Sequence, residues 1–203
     1  MSDNEIPVPQ QRPSRVLDAG ALRAMAHPMR VEIFEILSQY GPQTASSLAA
    51  MLGESSGATS YHLRALAKQD LIREVQGRGT ARERWWERPA GGVEFGRPDS
   101  LPTAAGRAAM SFVVTETLSR QHQQLLQFVT AGAETEPARW QQASLVSSAT
   151  ARLTPDQMAD LSRRMQQLID ETVDAYRDQR GDDVRPVSIH ADVFPLSLEG
   201  KTS

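Results

Sequence analysis

In GESSGATSYHLRALAKQDLI, residues 53–72, the side chains of Ser56, Gly57, Ser60, Tyr61 and Arg64 recur at steps of three and four. That spacing puts them on one face of a helix. Two hydroxyls, a phenol and a guanidinium share this face, and no acid lies between Glu54 and Asp70. Such a surface suits a polyanion with hydrogen-bonding edges. A helix fits the major groove of B-DNA and approaches the bases most closely through its first turns. Small residues at Ser56, Gly57 and Ala58 permit that approach. Ser60 can donate or accept, Tyr61 is long enough to reach a backbone oxygen, and Arg64 can grip guanine with two hydrogen bonds or take a phosphate. Thr59, Leu63, Leu66 and Ala67 form the opposite, core-facing stripe.

A second cluster of cations follows. LIREVQGRGTARERWWERP, residues 71–89, changes from helical to strand-like patterning and is expected to form two short strands around a loop holding Gly77 and Gly79. Arg78, Arg82 and Arg84 fall at or beside the tip, where they would meet phosphates or the minor groove. Residues 55–88 hold seven basic and four acidic side chains, so positive charge gathers here although the whole chain carries −3. The recognition helix is therefore placed at 55–69 and the wing at 76–84.

Other chemistries find little support. With no cysteine, disulfides, thiol nucleophiles and thiolate metal sites are excluded. His27, His62, His122 and His190 are isolated in sequence and match no metal-ligand spacing. His62 falls on the flank of the core face and is expected to hydrogen-bond internally rather than to touch DNA. Gly77 and Gly79 lack the strand–helix context of a phosphate-binding loop, and no Ser–His–Asp pattern is present. The chain is read as a non-enzyme with no cofactor and no metal.

The elements that must carry the two clusters follow from periodicity. Residues 1–15, with three prolines, read as a disordered arm. A short helix is expected from a cap at Asp18 to Ala26. HPMRVEIFEILSQYG comes next, with Pro28 in its first turn and Val31, Phe34 and Leu37 on its buried face. TASSLAAMLG is expected as a helix capped by Thr44 and ended by Gly53, and Ser55 caps the helix after it. Helix, helix, turn, helix, hairpin is the order of a winged helix-turn-helix, assigned to residues 16–88. Pro- and Gly-rich residues 89–103 read as a linker.

Beyond the linker, residues 104–203 read as a helical region, with helices at about 104–131, 137–149 and from Thr154 onward. Thr154 and Gln157 match a capping box. Met158, Leu161, Met165, Leu168, Val173 and Tyr176 make an apolar stripe about six turns long, too long for one small domain, and are assigned to a homodimer interface. The other possibility is that the C-terminal helices bury the stripe against one another. A Met-containing stripe repacks easily, so this is also where a small apolar effector is expected. VRPVSIHADVFPL alternates as a half-buried strand over 187–193, paired with the wing or with a partner subunit. The expected fold class is mainly α with a small β-hairpin wing, a helical dimerisation region, and a short terminal strand.

At 203 residues and 39% hydrophobic content the chain can build a real core. MSDNEIPVPQQRPSR lacks the apolar run of a signal peptide, and no segment approaches the ~20 apolar residues of a membrane span. A cytoplasmic protein is expected.

LRAMAHPMRVEIFEIL, TASSLAAMLGESSGATSYHLRALAKQDLIREV and GRGTARERWWE together resemble the DNA-binding domain of ArsR-type winged helix-turn-helix repressors, over about residues 20–88. HPMR, SYHLRAL and the Arg-rich wing are the most specific pieces. The resemblance implies a bacterial repressor, dimeric on palindromic operator DNA, with Ser56, Ser60, Tyr61 and Arg64 facing the DNA. Two departures stand out. Asp70 replaces the usual glycine before the first wing strand, and Asp tolerates the left-handed turn needed there. The metal-binding Cys and paired His of the founding members are missing, so metal sensing is not expected. The alternative function is a winged-helix module that docks on another protein.

Overall fold

The computed structural model describes residues 15–80, 83–89, 93–94, 101–132, 135–176 and 179–196. Four helices build the first half of the chain. After a short strand β1 (Arg15–Val16), helix α1 (Ala19–Met25) starts at Asp18, whose carboxylate accepts from the Ala21 N–H. Helix α2 (Pro28–Tyr40) has proline in its first turn and ends at Gly41, where φ is 72°. Helix α3 (Ala45–Leu52) opens on a complete capping box between Thr44 and Ser47 and closes at Gly53 in the left-handed conformation. Helix α4 (Ser56–Ala67) is capped by Ser55, whose hydroxyl accepts from the Ala58 N–H at 3.1 Å.

The core is what the apolar spacing dictates. Leu22, Met25, Val31, Ile33, Leu48, Leu63, Leu66 and Ile72 are all buried in one cluster. Asp70, the departure from glycine, adopts φ 52°, so the left-handed turn forms with Asp in place.

Strands β2 (Gln43–Thr44), β3 (Arg73–Thr80) and β4 (Glu83–Glu87) make a sheet in the order β2–β4–β3, antiparallel throughout. Gly77 and Gly79 lie inside β3 rather than in a loop between strands, and the register against β4 shifts between Glu74 and Gly79. Positive φ at both glycines, 73° and 100°, lets the strand bulge without ending. A Cβ at Gly79 would collide with the Glu83 carbonyl, so the close approach of the two strands depends on glycine there.

Strand β5 (Val93–Glu94) pairs in parallel with β1. Arg15, the last residue of the expected disordered arm, and Val16 after it thus pair with two residues of the expected linker, and the Arg15 guanidinium also donates to the Asp70 carbonyl at 2.9 Å.

Helix α5 (Ala104–Gln127) continues into a π-turn at Phe128–Gly132. Its first half packs on α1 and α2, burying Ala109, Met110 and Val113 in the same core. Arg120 on α5 bridges Glu116 at 2.8 Å and Glu32 of α2 at 3.0 Å. Helix α6 is short (Ala138–Ala143), against the longer span expected over 137–149.

The chain divides into two compact units, one holding the described residues up to Leu145 and the other Val146 and the described residues after it. Within the second unit, α7 (Pro155–Tyr176) begins with the expected capping box: the Thr154 N–H donates to Gln157 and the Gln157 N–H to Thr154. No residue of α7 is buried; Met158 and Met165 are half-buried, while Leu161, Leu168, Val173 and Tyr176 are exposed. Within its own unit, the described residues do not bury this stripe.

The strand expected over 187–193 does not form. The segment joins no sheet among the described residues, and Val187 and Ile189 are exposed rather than alternately buried. Alternating residue types make a strand only where an edge accepts the backbone hydrogen bonds, and no such edge meets this segment among the described residues.

Candidate nucleic-acid interface

Helix α4 presents two unlike faces. Thr59, His62, Leu63 and Leu66 are buried. The Thr59 hydroxyl turns inward, within hydrogen-bonding distance of the Ala45 carbonyl at 2.9 Å and of the Ser55 and Ser56 carbonyls at 3.1 Å. On the outer side Ser56, Gly57, Tyr61 and Arg64 are exposed and Ser60 is half-buried, so the five residues do share one open face. Tyr61 is 65% exposed, unusual for a tyrosine in a helix whose other large residues are buried. Arg64 and Lys68 make no ion pair among the described residues.

The wing arginines are engaged within the hairpin. The Arg78 guanidinium lies 3.6 Å from the centre of the Trp85 ring, a cation–π contact that holds it flat along β4. Arg84 pairs with Glu74 at 3.5 Å, and Arg73 with Glu87 at 2.8 Å. These pairs are solvent-exposed and worth less than about 1 kcal/mol each, so they orient the side chains without locking them. Arg82 lies outside the described residues.

One feature of the interface is hidden in the sequence. The rings of His27 and His62 lie 4.6 Å apart, and Tyr61 meets His62 edge-on at 5.3 Å. Thirty-five positions separate the two histidines, so no local spacing could reveal the pair. His62 does not make the expected internal hydrogen bond through Nδ1, which is buried without a partner among the described residues. Burial, followed by the neighbouring His27 and Arg30, holds the His62 imidazole below its usual range, with Glu54 opposing.

Among the described residues no group of three or more His, Cys, Asp or Glu is placed to hold a metal, and no helix is long and apolar enough to cross a membrane.

A sequence profile described as a helix-turn-helix domain matches residues 25–75, which contain α2, α3, α4 and the start of β3. No curated protein matches the chain significantly. Among solved structures, the chain is similar to the adhesin competence repressor AdcR of Streptococcus pyogenes, at 15% identity over 71% of this chain and 80% of that one, with a TM-score of 0.32. It is similar to apo MarR of E. coli at 13% identity over 75% and 87% of the two chains, TM-score 0.30. A ZitR variant of Lactococcus lactis aligns at 14% identity over 83% and 86%, also with a TM-score of 0.30. Likenesses this distant carry no inference about ligand or partner. The helix order, the antiparallel hairpin and the matched profile make α1–α4 with the β3–β4 hairpin a winged helix-turn-helix.

Proposed function

We propose that this protein is a sequence-specific transcriptional regulator of double-stranded DNA, acting as a homodimeric repressor of the ArsR type. Helix α4 enters the major groove and the β3–β4 hairpin lies on the backbone or in the minor groove. One observation carries this reading: an exposed helix face without acids is held rigidly by the buried residues behind it, and its Arg64 and Lys68 are unpaired among the described residues. Ser56, Gly57, Ser60, Tyr61 and Arg64 then read or position the groove, and Arg78, Arg82 and Arg84 add backbone contacts.

Dimerisation through α7 supports operator specificity, because one recognition helix reads few base pairs while two, about one turn of DNA apart, read a palindrome. Leu168 and Tyr176 on α7 are each 65% exposed. A 22-residue helix is only about 33 Å long, too little by itself for the ~800 Å² per partner of a standard interface. Helix α5 supplies further exposed apolar side chains, Leu118, Leu125 and Leu126. A cleft of about 220 Å³, with Ser162 and Gln166 beside Met165, Ile169, Ala191 and Val193, opens on the same helix.

The test is binding of the full chain to fragments selected from genomic DNA, followed by titration of the enriched fragment at several salt concentrations. Regulatory DNA binding gives an enriched palindromic site and an affinity that falls steeply with salt. A protein-docking module gives neither.

A further inference from the structure

The corner where α2 begins contains three nitrogen-bearing side chains that the recognition helix and wing leave unused. A row of rings leads to it from the exposed Tyr61, through His62 at 5.3 Å, to His27 a further 4.6 Å on. Arg30 follows one helical turn into α2. His62 is only 8% exposed; its Nδ1 and the Arg30 Nε are buried without a partner among the described residues. Arg30 makes no ion pair among the described residues, and the first turn of α2 holds no acid. Buried polar groups in folded proteins are nearly always satisfied; Arg30 Nε is a donor, and His62 Nδ1 is one in the tautomer that carries its proton there, so the two orphans point to a missing acceptor. Charge narrows its nature: two imidazoles and a guanidinium gather here, and the first turn of α2 adds no acid.

We propose that His27, Arg30 and His62 form a seat for a DNA phosphate, a third point of backbone contact beside the recognition helix and the wing. The proposal rests on the DNA-binding reading above. Arg30 supplies the charge. His27 already accepts the Met29 N–H through Nδ1 at 3.2 Å, which leaves its Nε2 as the donor. His62 lies beneath, between His27 and the DNA-facing Tyr61, so a phosphate here fixes how far along the groove α4 sits. The groups facing His62 are His27, Arg30, Tyr61 and, more weakly, Glu54. An added phosphate therefore reverses the net effect of its neighbours and favours protonated imidazole.

Two measurements test it. Arg30→Gln should weaken binding to the selected site and to random duplex alike, on the order of tenfold at 0.1 M salt, and should reduce the slope of log affinity against log salt by about one. Arg30→Lys keeps the charge and should keep the slope, which a purely structural role for the guanidinium would not. Should Arg30→Gln fail to fold, NMR titration of the wild-type imidazoles decides: the His62 ring, held below its usual range in the free protein, should move upward in pKa when duplex is added. An unchanged slope in folded Arg30→Gln overturns the phosphate seat while leaving DNA binding by α4 in place, as do imidazoles that ignore the DNA. Wild-type protein that shows no salt-dependent DNA binding overturns both.

Discussion

The Thr59 hydroxyl lies 2.9 Å from the Ala45 carbonyl oxygen, joining the buried side of the recognition helix to the first residue of α3. The angle between the two helices of the helix-turn-helix is thus fixed by a hydrogen bond as well as by Leu48, Leu63 and Leu66 packing together. Thr59 looks like an ordinary core position from its spacing, yet it bears on function because α4 can only reach a groove at the angle α3 sets.

Thr59→Val tests this. Valine preserves the shape and removes the donor, so stability should fall by about 1 kcal/mol. DNA affinity should fall further than stability explains, because α4 is no longer held at one angle. Thr59→Ser should restore most of both. Chemical denaturation beside a binding titration separates the effects, and equal DNA affinity in wild type and the valine variant would show that packing alone sets the angle.

Neutralising Arg78 and Arg82 together should weaken binding to every sequence and flatten the salt slope by about one unit for each phosphate that no longer meets a cation. Because Arg78 rests 3.6 Å from the Trp85 ring centre, DNA that draws it away should also change tryptophan fluorescence. An unaltered slope would show that the hairpin stays off the DNA.

Much of this arrangement is legible in the sequence, for a physical reason: caps, turns and amphipathic faces are local. Asp18, Thr44 and the Thr154–Gln157 box start helices where spacing places them, and Asp70 takes the left-handed turn. What escapes is long-range. The His27–His62 contact joins helices far apart in sequence, and the β1–β5 pairing joins Arg15, at the end of the expected arm, and Val16 to residues of the linker. Gly77 and Gly79 read as a loop because positive φ usually marks one, whereas here it shapes a bulge within β3. Residues 187–193 carry a strand's alternation but lack a neighbouring edge, and alternation alone supplies no hydrogen-bond partner.

Glu35 on α2 gives a pH signature. Burial raises its carboxyl from 4.5 to about 7; Arg120 opposes the shift, and Glu32 and Glu116 add to it. Between those two values the folded protein binds more protons than the unfolded chain. The contribution to stability is therefore complete below about 4.5 and is lost as pH rises through about 7. Glu35→Gln, which never ionises, should match wild type in melting temperature at pH 5 and exceed it at pH 8. A constant difference across that range would show that Glu35 titrates like an exposed carboxylate.

The dimer proposal is open to light scattering. Full-length protein should be dimeric at micromolar concentration, and a Leu161→Asp, Leu168→Asp double variant should be a folded monomer, since both positions are exposed in the single chain. A monomeric wild type, or a variant that remains a folded dimer, would remove α7 from the interface.

The central claim is that the outer face of α4 reads DNA, and Arg64→Ala tests it most directly. Arg64 is exposed and unpaired among the described residues, so its loss should leave the melting temperature unchanged. A gel-shift titration against the selected site should show specific affinity reduced by about 1–3 kcal/mol, the value of a bidentate base contact, with discrimination over random duplex largely gone. A folded Arg64→Ala protein that binds the site as tightly and as selectively as wild type would contradict the account.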